Sequence, residues 1–94
     1  MELLFEWDPK KARRNLAKHG VSFDEASTAF RDVMSITISD PIHSEDEQRF
    51  VLIGCSCRNR LLVVVHTERG ERVRIISARP ATTTERLRYE EDAQ

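Results

Sequence analysis

The 94 residues carry 15 Lys and Arg against 16 Asp and Glu, for a formal charge of −1, with 39% apolar and 33% charged residues. This describes one small domain with a modest core. It excludes a chain drawn to nucleic acid or membrane by its overall charge, and no apolar run approaches membrane-spanning length. Charge is placed locally instead. Residues 9–19 hold Lys10, Lys11, Arg13, Arg14 and Lys18 with no acid, and residues 40–47 hold Asp40, Glu45, Asp46 and Glu47 with no base. The opening Met1-Glu2-Leu3-Leu4-Phe5-Glu6 is interrupted by acids and does not read as a signal peptide.

Leu3 to Trp7 alternates weakly and predicts a short first strand. Asp8-Pro9 predicts a helix start, with Asp as N-cap and Pro at the first helical position. That helix runs to Lys18 or His19, and Gly20 ends it. Ala12, Leu16 and Ala17 form its narrow apolar stripe, while Lys11, Asn15 and Lys18 or His19 share another face. Ser22 and Glu25 have capping-box spacing and open a second helix, Asp24 to Phe30. Ser35 to Ser39 alternates as a half-buried strand, and residues 40–48 form a solvated loop.

Arg49 to Cys57 predicts a strand, Arg58-Asn59 a turn, and Arg60 to Glu68 the antiparallel partner. Leu61-Leu62-Val63-Val64-Val65 is unbroken and apolar, as expected of a strand buried on both faces at the centre of the sheet. Arg69-Gly70 turns the chain into a last strand, Arg72 to Arg79. Pro80 ends it, and Thr82, Thr83 or Thr84 caps a final helix to Asp92 anchored by Leu87. The expected fold is α+β: one domain over residues 1–94, an antiparallel twisted sheet with N-terminal helices and a C-terminal helix packed on it. With two-residue hairpin loops, Val51, Ile53, Cys55, Leu62, Val64, His66, Val73, Ile75, Ser77 and Arg79 share one face, and Leu52, Leu61, Val63, Val65, Thr67, Arg72, Arg74 and Ile76 the other. Cys55 and Cys57, two apart on the expected strand, sit roughly 6.5–7 Å apart, at the limit for a disulfide. They read as free thiols of a reducing cytosol, so the expected location is cytoplasmic.

His66 ends the apolar run and is either a core histidine or a general acid or base. Glu68 and Arg69 follow in the turn. Arg74 and Arg79 lie within an apolar strand and must reach solvent or find an anion: a phosphate, or an acid of the final helix such as Glu85 or Glu90. Tyr89 either donates a proton or packs its ring. Trp7, Lys11, Asn15, Lys18 and His19 form a second constellation, suited to holding a base and its phosphates, or else a core Trp beside a solvated basic helix. His19, His43 and His66 are scattered and have no ligand spacing, so neither a metal site nor a cofactor is expected.

Several strings occur together in order: Phe5-Glu6-Trp7-Asp8-Pro9, Lys18-His19-Gly20-Val21-Ser22-Phe23, Glu47 with Arg49-Phe50, Ile53-Gly54, Val64 through Gly70, Ile75-Ile76-Ser77-Ala78-Arg79, and Glu85-Arg86 with Tyr89-Glu90. In this order and spacing the chain resembles the BrnT toxins of bacterial type II toxin–antitoxin systems, over about residues 5–91. The resemblance implies a RelE-like fold and a metal-independent endoribonuclease. Arg74, Arg79, His66 and Tyr89 would serve at its site, with His66 or Glu68 as base, and Trp7, Lys11, Asn15, Lys18, His19 and Arg69 would hold RNA. It also implies a BrnA-like antitoxin with a ribbon–helix–helix DNA-binding domain, two toxins with two antitoxins, and contact with operator DNA only through that partner. A different class stays open: a non-catalytic module that docks an antitoxin or another protein. The near-neutral charge and the uncharged run from Pro80 to Thr84 favour that reading.

Overall fold

Asp8 sets the first helix. Its backbone is extended, and its carboxylate accepts a hydrogen bond from the Lys10 N–H at 2.8 Å. Pro9 opens α1 (Pro9–His19), and Gly20 closes it at φ 69°, donating its N–H to the Leu16 carbonyl at 2.9 Å. The computed structural model describes residues 3–40 and 48–92. Of the expected loop at 40–48, residues 41–47 lie outside the described residues, and Asp40 ends a strand instead.

Ser22 caps α2 (Phe23–Thr28), accepting from the Glu25 N–H at 3.0 Å. The helix does not continue evenly to Phe30. The Ser27 and Thr28 hydroxyls donate back to the Asp24 and Glu25 carbonyls at 2.7 and 2.6 Å, and the chain tightens into a 3₁₀ turn, Ala29–Arg31. The Glu25 carboxylate turns into the protein, where it accepts from Ser56 Oγ at 2.7 Å and Arg60 Nε at 2.9 Å. This ties α2 to a hairpin 31 to 35 residues further along the chain.

Five strands form one sheet in the order β1-β5-β4-β3-β2. They are β1 (Leu4–Glu6), β2 (Ile36–Asp40), β3 (Arg49–Cys55), β4 (Leu61–Arg69) and β5 (Arg72–Pro80), followed by α3 (Thr83–Asp92). β2 to β5 make the expected antiparallel meander, and β1 adds a parallel edge beside β5, so the sheet is mixed. β4 is interior, with Leu62 and Val64 fully buried.

Two local irregularities change the expected faces. The β3–β4 connection is wider than two residues. Ser56 N–H donates to Arg60 O, Asn59 N–H donates to Ser56 O, and Asn59 takes φ 60°, a position that Asn tolerates. Cys55 therefore pairs with Leu61, and Cys57 lies in the turn rather than on the strand. Leu52 joins Val64 on the side of α1 and α2, while Val51, Ile53 and Cys55 move to the other side. The second irregularity is a bulge in β5. Val65 pairs with Ser77 and His66 with Ile75, leaving Ile76 as the extra residue. Val73 and Ile75 face α1 and α2 as expected, but Ser77 and Arg79 turn to the opposite face, with Val65 and Val63.

The main core lies between α1, α2 and the sheet and contains Val21, Phe23, Ala26, Ala29, Leu52, Leu62, Val64, Ile75 and Ala78. Gly54 lets the 3₁₀ turn approach, because a Cβ there would lie 2.7 Å from the Ala29 carbonyl oxygen. On the other face, Ile53, Leu61 and Val63 pack with Ile36, Val51, Ala81 and Tyr89. Leu87 is not the anchor of α3: it is 54% exposed, and Tyr89 takes that place.

Candidate active site

Thr82 opens α3 with a complete capping box. Its hydroxyl accepts from the Glu85 N–H at 3.2 Å, and Glu85 accepts from the Thr82 N–H at 2.8 Å. The cap fixes the Glu85 carboxylate over β5, where Arg79 donates to both of its oxygens from Nη1 and Nη2 at 2.7 Å. The acid of the final helix is thus the anion that Arg79 finds. This pair borders an open cleft of about 470 Å³ on the α3 side of the sheet, also lined by Ser39, Asp40, Arg49, Ser77 and the apolar side chains of Ile38, Val51, Val63, Val65 and Ile76. Two guanidiniums, two carboxylates and two hydroxyls therefore meet over an apolar floor.

Arg49, Ser77 and Glu85 were not singled out as site residues by the sequence. Arg49 carried a readable signal, since it alternates in phase with Val51 and Ile53 on what becomes the cleft face. Arg74 faces the same side as Arg79, in a row with Arg49 and Thr67, and donates to Glu6 of β1 at 2.8 Å. It stands five residues, roughly 15 Å, along the strand from Arg79. Tyr89 donates its hydroxyl to Asp32 Oδ2 at 2.6 Å, which pushes its pKa up to about 12. Burial works against ionised Asp32, but the Tyr89 hydroxyl and the Cys55 and Met34 amides hold it below the ordinary carboxylate value.

The other candidates lie elsewhere. His66 is 4% exposed on the opposite face, stacked on Phe50 at 5.8 Å and edge-on to Phe30 at 4.8 Å, with Nδ1 3.3 Å from the Val64 carbonyl. Glu68 is exposed on the His66 side of the sheet, and Arg69 is exposed at the hairpin tip. His66 and Arg79 do not converge. Trp7 packs edge-on to Phe23 against the core. Asn15 is buried, with its carboxamide bonded to the Val21 carbonyl and to both backbone groups of Ala78. Lys11 and Lys18 are exposed on α1, and His19 is half-buried.

The model of the ribonuclease toxin BrnT, of type II toxin–antitoxin systems, matches residues 7–85. The chain belongs to the BrnT toxin family. Among solved structures, the 1.1 Å crystal structure of the Brucella abortus ribonuclease toxin BrnT superposes with a TM-score of 0.63 at 22% identity, covering 87% of this chain and 100% of that one. That likeness establishes the shared BrnT fold. No curated protein matches the sequence. Among the described residues of this BrnT-family chain, no helix is long and apolar enough to cross a membrane.

Several groups make this BrnT-family domain sensitive to acid, Asp32 and Glu25 among them, and two give testable signatures. The Arg79 hydrogen bonds hold Glu85 down to about 2, so this contact stabilises the fold fully above pH 4.5 and loses that contribution as pH falls from 4.5 to about 2. Burial lowers the His66 pKa below its ordinary 6.5, so stability also declines as pH falls below 6.5, where the unfolded chain takes up the proton first. An NMR titration is expected to place the His66 midpoint below 6.5. Glu85→Gln should lose less stability than the parent as pH falls from 4.5 to about 2; an identical profile would show that the pair contributes nothing.

Proposed function

We propose that the chain is a metal-independent endoribonuclease toxin that cuts RNA in the cleft between β2 and α3. The observation that supports this is the bidentate Arg79–Glu85 pair at the edge of that cleft. A backbone phosphate competes for the Arg79 fork, and Arg49 adds a second cation. Release from Arg79 lets the Glu85 pKa climb back towards its ordinary value, which makes the carboxylate a better base. The base removes the proton of the 2′-hydroxyl, the resulting oxygen attacks the adjacent phosphorus to give a 2′,3′-cyclic phosphate, and the 5′-oxygen leaves, taking up a proton from water or from the protonated carboxyl. The guanidiniums stabilise the charge on the pentacoordinate phosphorus. Arg74, further along the same face, extends the cationic track, and Tyr89 fixes the turn beneath α3. His66, on the far side of the sheet, keeps a packing role in this reading.

The partner is proposed to be a BrnA-like antitoxin, two toxins with two antitoxins, covering the cleft. Purified protein is expected to cut RNA in EDTA. The co-expressed complex should not cut, and should have the mass of two of each chain by light scattering. A strict metal requirement would overturn the mechanism, and a cutting complex would overturn the mode of neutralisation. One observation favours the non-catalytic module instead: Arg79 already has its anion. Growth on induction separates the two readings, since only a catalyst stops growth in a way that depends on Arg79.

A further inference from the structure

Three arginines beside or on the sheet are neutralised by carboxylates: Arg60 pairs with Glu25, Arg74 with Glu6 and Arg79 with Glu85. α1 carries Lys10, Lys11, Arg13, Arg14 and Lys18 and no acid, and among the described residues none of the five has a carboxylate within salt-bridge distance. Asp8, just ahead of the helix, commits its carboxylate to the N-cap, and that bond together with the charge of Lys11 keeps its pKa low.

This arrangement works against the helix itself. Four of the five cations stand in its first six residues, at the positive end of the macrodipole, where acids stabilise. Lys10 and Arg14, and Arg14 and Lys18, are like charges four apart, and Lys11 and Arg14 three apart, all repulsive pairs. Lys10, Lys11, Arg14 and Lys18 form one exposed stripe about 100° wide along a helix about 16 Å long. Folding alone does not account for a stripe that lowers helix stability. Its place is also distinct from the cleft: Asn15 ties α1 to Ala78, which faces the helices, whereas Arg79 faces the other way.

We infer that the outer stripe of α1 is a second RNA surface, a phosphate track on the layer opposite the cleft, so that the substrate is an RNA long or folded enough to engage both. This deepens the ribonuclease reading, on which it relies for the identity of the polyanion. Flexible cations in a row fit phosphates, which position a nucleic acid without reading its sequence. A protein partner would be expected to find aromatic or apolar anchors within the patch; the four cations enclose none, and the exposed Leu16 lies on the other edge of the helix, beside Arg13.

The test uses the full chain and 2′-O-methyl RNA, which binds but cannot be cut by 2′-hydroxyl attack. The variant combines Lys10→Gln, Lys11→Gln, Arg14→Gln and Lys18→Gln, changes that relieve repulsion and preserve the helix. Anisotropy is measured with a long RNA and with one just filling the cleft. The variant is expected to bind the long RNA about tenfold or more weakly, with the salt slope reduced by about 3 for four lost phosphate contacts. The short RNA should bind within about twofold of the parent. Equal losses on both RNAs, or no loss on either, would overturn the inference. So would a variant impaired only towards the antitoxin or duplex DNA, which would assign the stripe to that partner. A parent that binds long RNA through α1 but cuts no unmodified RNA would overturn the catalytic reading and leave this one standing.

Discussion

Replacing Arg79 with Ala is expected to lower RNA cleavage by about 10²–10³-fold, the usual cost of removing one preorganised donor from a developing oxyanion, and to abolish growth arrest. The side chain is 40% exposed and reaches the cleft edge from the end of β5, so its loss opens no hole in either core. Glu85 keeps its place through the Thr82 capping box, so α3 retains its start. The variant should therefore fold, and the defect should lie in turnover. Arg79→Lys should recover only part of the rate, because an ammonium carries the charge without the planar fork. An Ala variant that cuts RNA and stops growth like the parent would remove Arg79 from the chemistry. If the parent too is harmless, the non-catalytic docking module is the better reading.

Asn15→Ala is expected to produce the largest loss of stability. One carboxamide makes three buried hydrogen bonds, to the Val21 carbonyl at 2.9 Å, the Ala78 carbonyl at 2.7 Å and the Ala78 N–H at 3.0 Å. Its removal strands three backbone groups between α1 and β5. Each unsatisfied group costs about 1–3 kcal/mol, so a total of about 3 kcal/mol is a moderate expectation. For a domain of this size that lowers Tm by roughly 10–20 °C. Thermal unfolding followed by circular dichroism measures it. A variant that melts like the parent but binds RNA less well would return Asn15 to the RNA-holding set.

The contrast between α1 and β5 shows what can be read from the chain alone. Asp8, Pro9 and Gly20 act within a few residues of themselves, so both ends of α1 are legible. Ser22 is equally local, but the other half of its capping box is not. Glu25 has the right spacing and still turns to Ser56 and Arg60, because tertiary partners outbid the local one. The face of Arg79 depends on a single extra residue, Ile76, which no alternation pattern announces. The faces of Val51 and Ile53 depend on Asn59 taking positive φ, which an Arg-Asn pair permits but does not require. The acid opposite Arg79 could be named as a candidate, whereas Glu6 opposite Arg74 follows only from the parallel pairing of β1 with β5.

That pairing also has a consequence for synthesis on the ribosome. Phe5 waits for Val73, 68 positions later, and the cleft is completed only by Arg79 and Glu85, later still. A nascent chain can form α1, α2 and the β2–β3 hairpin early. It can close neither the sheet nor the cleft until its last strand has emerged. Non-local closure of this kind is slow compared with helix formation. Under the proposed mechanism, a chain interrupted anywhere before β5 lacks both Arg79 and Glu85 and is expected to cut no RNA.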